Sequence, residues 1–196
     1  MKISKLVAVA ALGTGMMCLA QTGTTQAKSS AMSGVHGHDL MFAKSAAQGG
    51  MAEVQLGQLA VDKAQSPDVK AFGQKMVDDH GKANEQLKDV AQKDNVTLPQ
   101  QLTAKDEATK DKLSKLDGAA FDKAYMHDMV MDHEKDIREF KQEAKMGKND
   151  SIKDFASSTL PTLEEHLKMA KDANQKVGGM APMKGKKPAA GATSGQ

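Results

Sequence analysis

Three histidines recur in one local pattern. Phe72-x-x-x-Met76-Val77-Asp78-Asp79-His80-x-Lys82 matches Tyr125-x-x-x-Met129-Val130-Met131-Asp132-His133-x-Lys135, and Leu163-Glu164-Glu165-His166-x-Lys168 is a shorter copy. The shared core is an apolar residue, any residue, an acid, His, any residue and Lys. Each His falls at helical spacing among apolar residues, so it belongs to a buried face rather than a wet one. A glutamate upstream, Glu53, stands three residues after Gly50 and beside Val54, at the edge of its own apolar stripe.

Burying one carboxylate and three imidazoles is expensive unless each group has a partner. Two chemistries supply one. The groups can hydrogen-bond each other, forming a Glu–His network that fixes helix register. Alternatively, Glu53, His80, His133 and His166 can hold one divalent metal ion, since neutral imidazoles and a carboxylate suit Zn²⁺ or Cu²⁺. A single histidine on an apolar face is ordinarily a satisfied core residue. Three at one height with a glutamate leave both readings open. Met76 and Met129 each precede a His by one turn. A thioether there suits Cu(I), or fills a core poor in aromatic residues.

The acid before each His lies about 100° around the helix. That places Asp79, Asp132 and Glu165 at the seam edge or on the surface. The Lys two residues after each His points to the outer face. His36 and His38 fall in a loose leader, and His127 lies off its stripe.

Four long helical segments position these groups. Ala, Lys, Glu, Gln, Leu and Met dominate them, and all are good helix formers. The first runs over Asp39–Ala64, with a stripe at Leu40, Ala43, Ala47, Gly50, Val54, Gly57 and Val61. The second starts with Ser66 as N-cap and Pro67 in the first turn; its stripe is Val69, Phe72, Met76, His80, Ala83, Leu87 and Val90. The third opens after Asp117, with Phe121, Tyr125, Met129, His133, Ile137, Phe140 and Ala144. The fourth opens at Asn149 or Asp150 with Ile152, Phe155, Thr159, Leu163, His166, Ala170 and Val177, and Pro161 should kink it. The first and last links are a few residues long, so each pair is an antiparallel hairpin. The middle link, Val96–Lys115, is long and carries a short helix from Thr103. Hairpin, crossover, hairpin predicts an all-α, ferritin-like four-helix antiparallel bundle with a long crossover carrying a short extra helix. A coiled-coil dimer of hairpins is the alternative. Glu53 and the three histidines each lie near the middle of a helix, so antiparallel packing predicts one shared layer.

The ends read differently. Lys2 and Lys5 precede an uncharged stretch, Leu6–Leu19, followed by small residues, the pattern of a secretory signal peptide over residues 1–27 with a cut after Ala20 or Ala27. The stretch is short of the roughly 20 residues a transmembrane helix needs. The expected location is periplasmic or otherwise exported. Cleavage would remove Cys18, the only cysteine, leaving no disulfide and no thiolate ligand. It would also remove two lysines and take the formal net charge from +2 to 0, which speaks against a nucleic-acid partner. Residues 28–38 read as a flexible leader, 39–177 as the bundle, and 178–196 as a disordered Gly/Pro/Lys tail. A homo-oligomer stays open, and the residues name no protein partner. No Gly-rich phosphate loop or Ser–His–acid set stands out, so a binding or structural protein is expected rather than an enzyme.

Phe42 to Glu53 with Ala46-Ala47-Gln48-Gly49-Gly50, the run from Phe72 through Met76 to Asp79-His80, Phe121-Asp122 with Tyr125, His133, and Leu160-Pro161 with His166 resemble the bacterial exported family called domain of unknown function 4142. The resemblance covers nearly all of 39–173. It implies a ferritin-like fold and export, and assigns no chemistry. Di-iron members of the ferritin-like class carry Glu-x-x-His on two helices. Here Val77, Val130 and Leu163 stand where that Glu would be. The carboxylates of a bridged di-iron centre are missing, which argues against ferroxidase or oxygenase activity.

Overall fold

The computed structural model describes residues Val35 and Gly37–Gly178. The expected signal peptide with Cys18, His36 and the tail beyond Gly178 lie outside the described residues. Five helices occur: α1 (Gly37–Lys63), α2 (Pro67–Lys93), α3 (Ala104–Ser114), α4 (Gly118–Met146) and α5 (Asp150–Lys176). No strand is present among the described residues.

Contacts fix how the long helices run. Gly57 meets Gly73 and Gly50 meets Asn84, so α1 and α2 are antiparallel. Lys141 pairs with Glu164 and Lys171 with Glu134, so α4 and α5 are antiparallel too. Ser45 reaches Glu139 between α1 and α4, and Asp68 reaches Lys176 between α2 and α5. α3 packs on α1 and α4, pinned by Lys110 to Gln55 and by Lys112 to Asp128.

Small residues set the α1–α2 distance. A Cβ added at Gly57 would meet the Gly73 carbonyl oxygen at 2.7 Å, and one at Gly73 would meet the Ala60 Cβ at 2.7 Å. Only glycine allows the backbones to approach this closely.

Each hairpin ties down the turn of the other. Asp122, early in α4, accepts hydrogen bonds from the backbone N–H of Gln65 and Ser66, at 3.0 and 2.8 Å. Asp39, early in α1, accepts from those of Lys148 and Asn149, at 3.1 and 2.9 Å. The sequence separation that relates Asp39 to Asp122 also relates Phe42 to Tyr125, Glu53 to Asp136 and Phe72 to Phe155. The two hairpins are thus related by a pseudo-twofold.

Several expectations change in detail. α1 starts at Gly37, so His38 sits in its first turn rather than in a leader. The buried face of α1 is Asp39, Phe42, Ala43, Ala47, Gly50, Ala52, Glu53, Leu56, Gly57 and Ala60, so Ala43, Ala47, Gly50 and Gly57 of the expected stripe are buried while Leu40, Val54 and Val61 are only half-buried. Ser66 occupies the N-cap position of α2 without a side-chain capping bond, because its turn is held by Asp122. Asn149 does cap α5, accepting from the Ile152 N–H at 2.9 Å. α5 continues through Pro161.

The core has two apolar clusters. One holds Leu56, Phe72, Met76, Tyr125, Met129 and Ala170. The other holds Ala47, Leu87, Ile137, Phe140, Phe155 and Leu163. On every long helix the predicted polar residue lies between a member of one cluster and a member of the other.

Candidate metal centre

That intervening layer brings together Glu53 from α1, His80 from α2, His133 from α4 and His166 from α5. All four are buried: 3 %, 7 %, 0 % and 0 % exposed. Their burial follows from position, since each side chain points along the apolar seam of its helix. The three imidazole centres are 5.3, 5.4 and 5.8 Å apart, a nearly equilateral triangle. One ring nitrogen from each lies within 4.8 Å of the other two. Glu53 forms ion pairs with His80 through Oε2 and with His133 through Oε1, the latter at 3.4 Å.

The hydrogen bonds assign the ring protons. His133 Nδ1 lies 2.9 Å from the Met129 carbonyl oxygen, which can only accept, so Nδ1 carries the proton. His133 Nε2 is left buried without a hydrogen bond. His166 Nε2 lies 2.9 Å from Asp79 Oδ2 and donates to it, leaving His166 Nδ1 buried without a hydrogen bond. Two inner nitrogens therefore present lone pairs. A partner on the outer nitrogen of each ring is the arrangement that orients metal-binding histidines.

The electrostatics are those of an electron-rich pocket. Burial would raise the Glu53 carboxyl, but the facing His133 and His80, with the hydrogen bond from His80, bring it down to about 2. Burial opposes a charge on His80, yet Glu53 holds it above the usual histidine range. Burial lowers His166 to about 4, against the hydrogen bond to Asp79. Tyr125, one layer away, has a hydroxyl without a hydrogen bond; burial and the Glu53 charge push it well above the usual tyrosine range.

Three further acidic residues matter: Asp79 and Asp132, which the repeat places before its histidines and the sequence sets at the seam edge or on the surface, and Asp136, which the repeat does not single out. Asp79 orients His166 and is itself held by Lys75 at 3.0 Å. Asp132 and Asp136 flank His133 on α4 and line a cleft of about 160 Å³ that reaches Glu53 between α1, α3 and α4. Burial and the facing Glu53 raise Asp132, and raise Asp136 to about 6. Glu165, by contrast, is 60 % exposed. Lys82 is exposed as expected, but Lys135 folds back onto Asp136 and Glu139, at 3.2 and 3.0 Å. His127 is exposed.

A second group, His38, Asp39 and Glu143, sits at the end of the bundle with ligand atoms within 4.8 Å of one another. His38 Nδ1 pairs with Glu143 at 2.8 Å. Asp39 already spends both oxygens on the α4–α5 turn, so this group reads as a structural tie.

Among the described residues no helix is long and apolar enough to cross a membrane. No curated protein matches the chain. Two solved structures share its fold. One is a DUF305 protein from Streptomyces coelicolor, described as secreted, at 14 % identity and TM-score 0.62, covering 72 % of this chain and 94 % of its own. The other is a DUF305 fragment from Deinococcus radiodurans, at 10 % identity and TM-score 0.64, covering 72 % and 98 %. The description "Domain of unknown function (DUF4142)" matches residues 22–173. The chain therefore belongs to the DUF4142 family.

Proposed function

We propose that this is an exported, ferritin-like helical-bundle protein that binds one divalent metal ion, Zn²⁺ or Cu²⁺, through Glu53, His80, His133 and His166. The observation that carries the reading is the triangle of rings. Three imidazoles on one tetrahedral ion, with metal–nitrogen bonds of about 2.0–2.1 Å, put their ring centres roughly 5 Å apart. The observed 5.3–5.8 Å is close to that. The outer hydrogen bonds of His133 and His166 leave the nitrogens such an ion needs. Glu53, which stands beside the close set of three ring nitrogens and against His80 and His133 Nδ1, is the fourth ligand of this reading and cancels one positive charge.

In this reading the role is binding rather than turnover. Export is supported by the secretory pattern of the leader, and by the DUF305 structural neighbour described as secreted.

The second reading is a metal-free network. It is favoured by the direct Glu53–His80 ion pair, which already neutralises one carboxylate. Native mass spectrometry of the purified protein with added Zn²⁺ separates the two. The metal reading expects one ion per chain, lost in Glu53→Gln/His133→Ala. A wild-type chain that takes up no ion, or a variant that keeps it, overturns that reading.

A further inference from the structure

The His/Glu layer is sealed on most sides by the two apolar clusters. Its larger opening to solvent space is at Glu53, which lines the cleft of about 160 Å³ between α1, α3 and α4; His80 lines a smaller pocket of about 20 Å³ beside Gly50 and Asn84. The walls of that cleft carry Asp106, Asp132 and Asp136 besides Glu53, against Lys105 and Lys135. Asp132 and Asp136 are one turn apart on α4 and bracket His133 in sequence. Glu53 is 3 % exposed, and its Oε1, 3.4 Å from His133 Nδ1 in an ion pair, makes no hydrogen bond. Like charges gathered in a desolvated cleft, with such a carboxylate at its inner end, cost free energy that a cation would relieve. Two lysines hold the outer position. Lys105 pairs with Asp132 at 3.7 Å, and Lys135 with Asp136 at 3.2 Å. Both lysines are long, and 73 % and 44 % exposed, so they can swing out into water.

We propose that this cleft is the loading port of the metal centre, and that Asp132 and Asp136 form an acidic subsite that captures a hydrated divalent cation and passes it to Glu53. The inference rests on the metal-site reading above. The cation displaces Lys105 and Lys135, sheds water as the carboxylates replace it, and then reaches the three imidazoles. A negatively lined cleft with low-dielectric walls concentrates cations and raises their on-rate by about 10- to 1000-fold, an effect that salt suppresses. The subsite therefore governs the rate of loading more than the final affinity.

Stopped-flow mixing with Cu²⁺ tests this, because Cu²⁺ binds nitrogen and oxygen sites most tightly among the divalent ions. The chain has one tyrosine, Tyr125, and no tryptophan, so quenching of tyrosine emission reports arrival at the neighbouring layer. The full-length protein should load quickly, with a rate that falls steeply with salt. Asp132→Asn/Asp136→Asn should slow loading about tenfold or more and flatten the salt dependence. Glu85→Gln/Asp89→Asn removes the same charge from the exposed face of α2 and should leave the rate unchanged. Lys105→Gln/Lys135→Gln should speed loading, which keeps the test decisive if the aspartate pair folds poorly. Equal slowing by both acidic pairs, or wild-type rates for the aspartate and lysine pairs, overturns the loading port alone. No quenching of wild type, or quenching that persists in His133→Ala/His166→Ala, overturns the metal-site reading and the port with it.

Discussion

The Asp79 carboxylate on α2 takes a hydrogen bond from His166 Nε2 on α5, at 2.9 Å. This contact joins the two hairpins, fixes the tautomer of a fully buried ring, and leaves Nδ1 as its free nitrogen. Asp79→Asn weakens the acceptor and allows the ring to turn. The expected result is a 10- to 100-fold loss of Zn²⁺ affinity in a competition titration, with the helical circular-dichroism spectrum unchanged.

His133→Ala removes the ring that stacks edge-on with both other histidines. It also strips Glu53 of one of its two ion-pair partners in the bundle. Urea unfolding of chelator-treated protein should show a loss of roughly 1–3 kcal/mol, the cost of leaving buried polar groups unsatisfied. A loss near zero would mean that the layer is not held together as described.

The α1–α2 crossing makes a separate claim. Gly57→Ala places a Cβ 2.7 Å from the Gly73 carbonyl oxygen, and backbone must move to accept it. The expected cost is roughly 1–3 kcal/mol, with weaker metal binding because Glu53 draws away from His80. Gly81, on the same α2, has nothing within 4 Å of such a Cβ. Gly81→Ala should stabilise by roughly 0.5–1 kcal/mol through helix propensity. Thermal melting of the two variants reads both signs.

Much of the layer is legible in the sequence. The histidines of α2, α4 and α5 stand in strongly apolar stripes, so their burial and common height follow from spacing alone. α1 is different. Its buried face is largely Ala and Gly, which contrast weakly with the polar face, so the stripe finds Ala43, Ala47, Gly50 and Gly57 but takes Leu40, Val54 and Val61 for their buried neighbours Asp39, Glu53 and Ala60. The spacing therefore sets Glu53 at the seam edge, whereas it is buried within the seam. Which preceding acid touches a ring depends on distances between helices: Asp79 does, and Glu165 does not. Asp136 belongs to no acid–His pair. The signal that finds it is the pseudo-repeat through Asp39 and Asp122, which lays Asp136 over Glu53. His38 follows Gly37, which reads as the end of a loose leader but starts α1.

Acid should weaken the metal-free bundle. His166 is held at about 4 in the folded chain, below the ordinary value of 6.5. Between those values the unfolded chain binds a proton that the folded chain refuses, so stability falls as pH drops through the window. Asp136, held at about 6, acts in the opposite sense over part of the same range. The His166 contribution is therefore the difference in slope between wild type and His166→Gln. Urea titrations at pH 7, 5.5 and 4.5 should show the steeper acid loss in wild type.

The most direct test of the metal centre is the melting temperature of chelator-treated protein with and without Zn²⁺, Cu²⁺ and Mn²⁺ at pH 7 and at pH 5.5. An ion that binds only the folded chain stabilises it by about 2.7 kcal/mol at a hundredfold excess over Kd. The account predicts an upward shift with Zn²⁺ or Cu²⁺ at pH 7. The shift should shrink at pH 5.5, where His80, held by Glu53 above the usual histidine range, must give up a proton to bind, and vanish in His80→Ala/His133→Ala/His166→Ala. No shift in wild type with any ion, or a shift that survives in the triple variant, would contradict it.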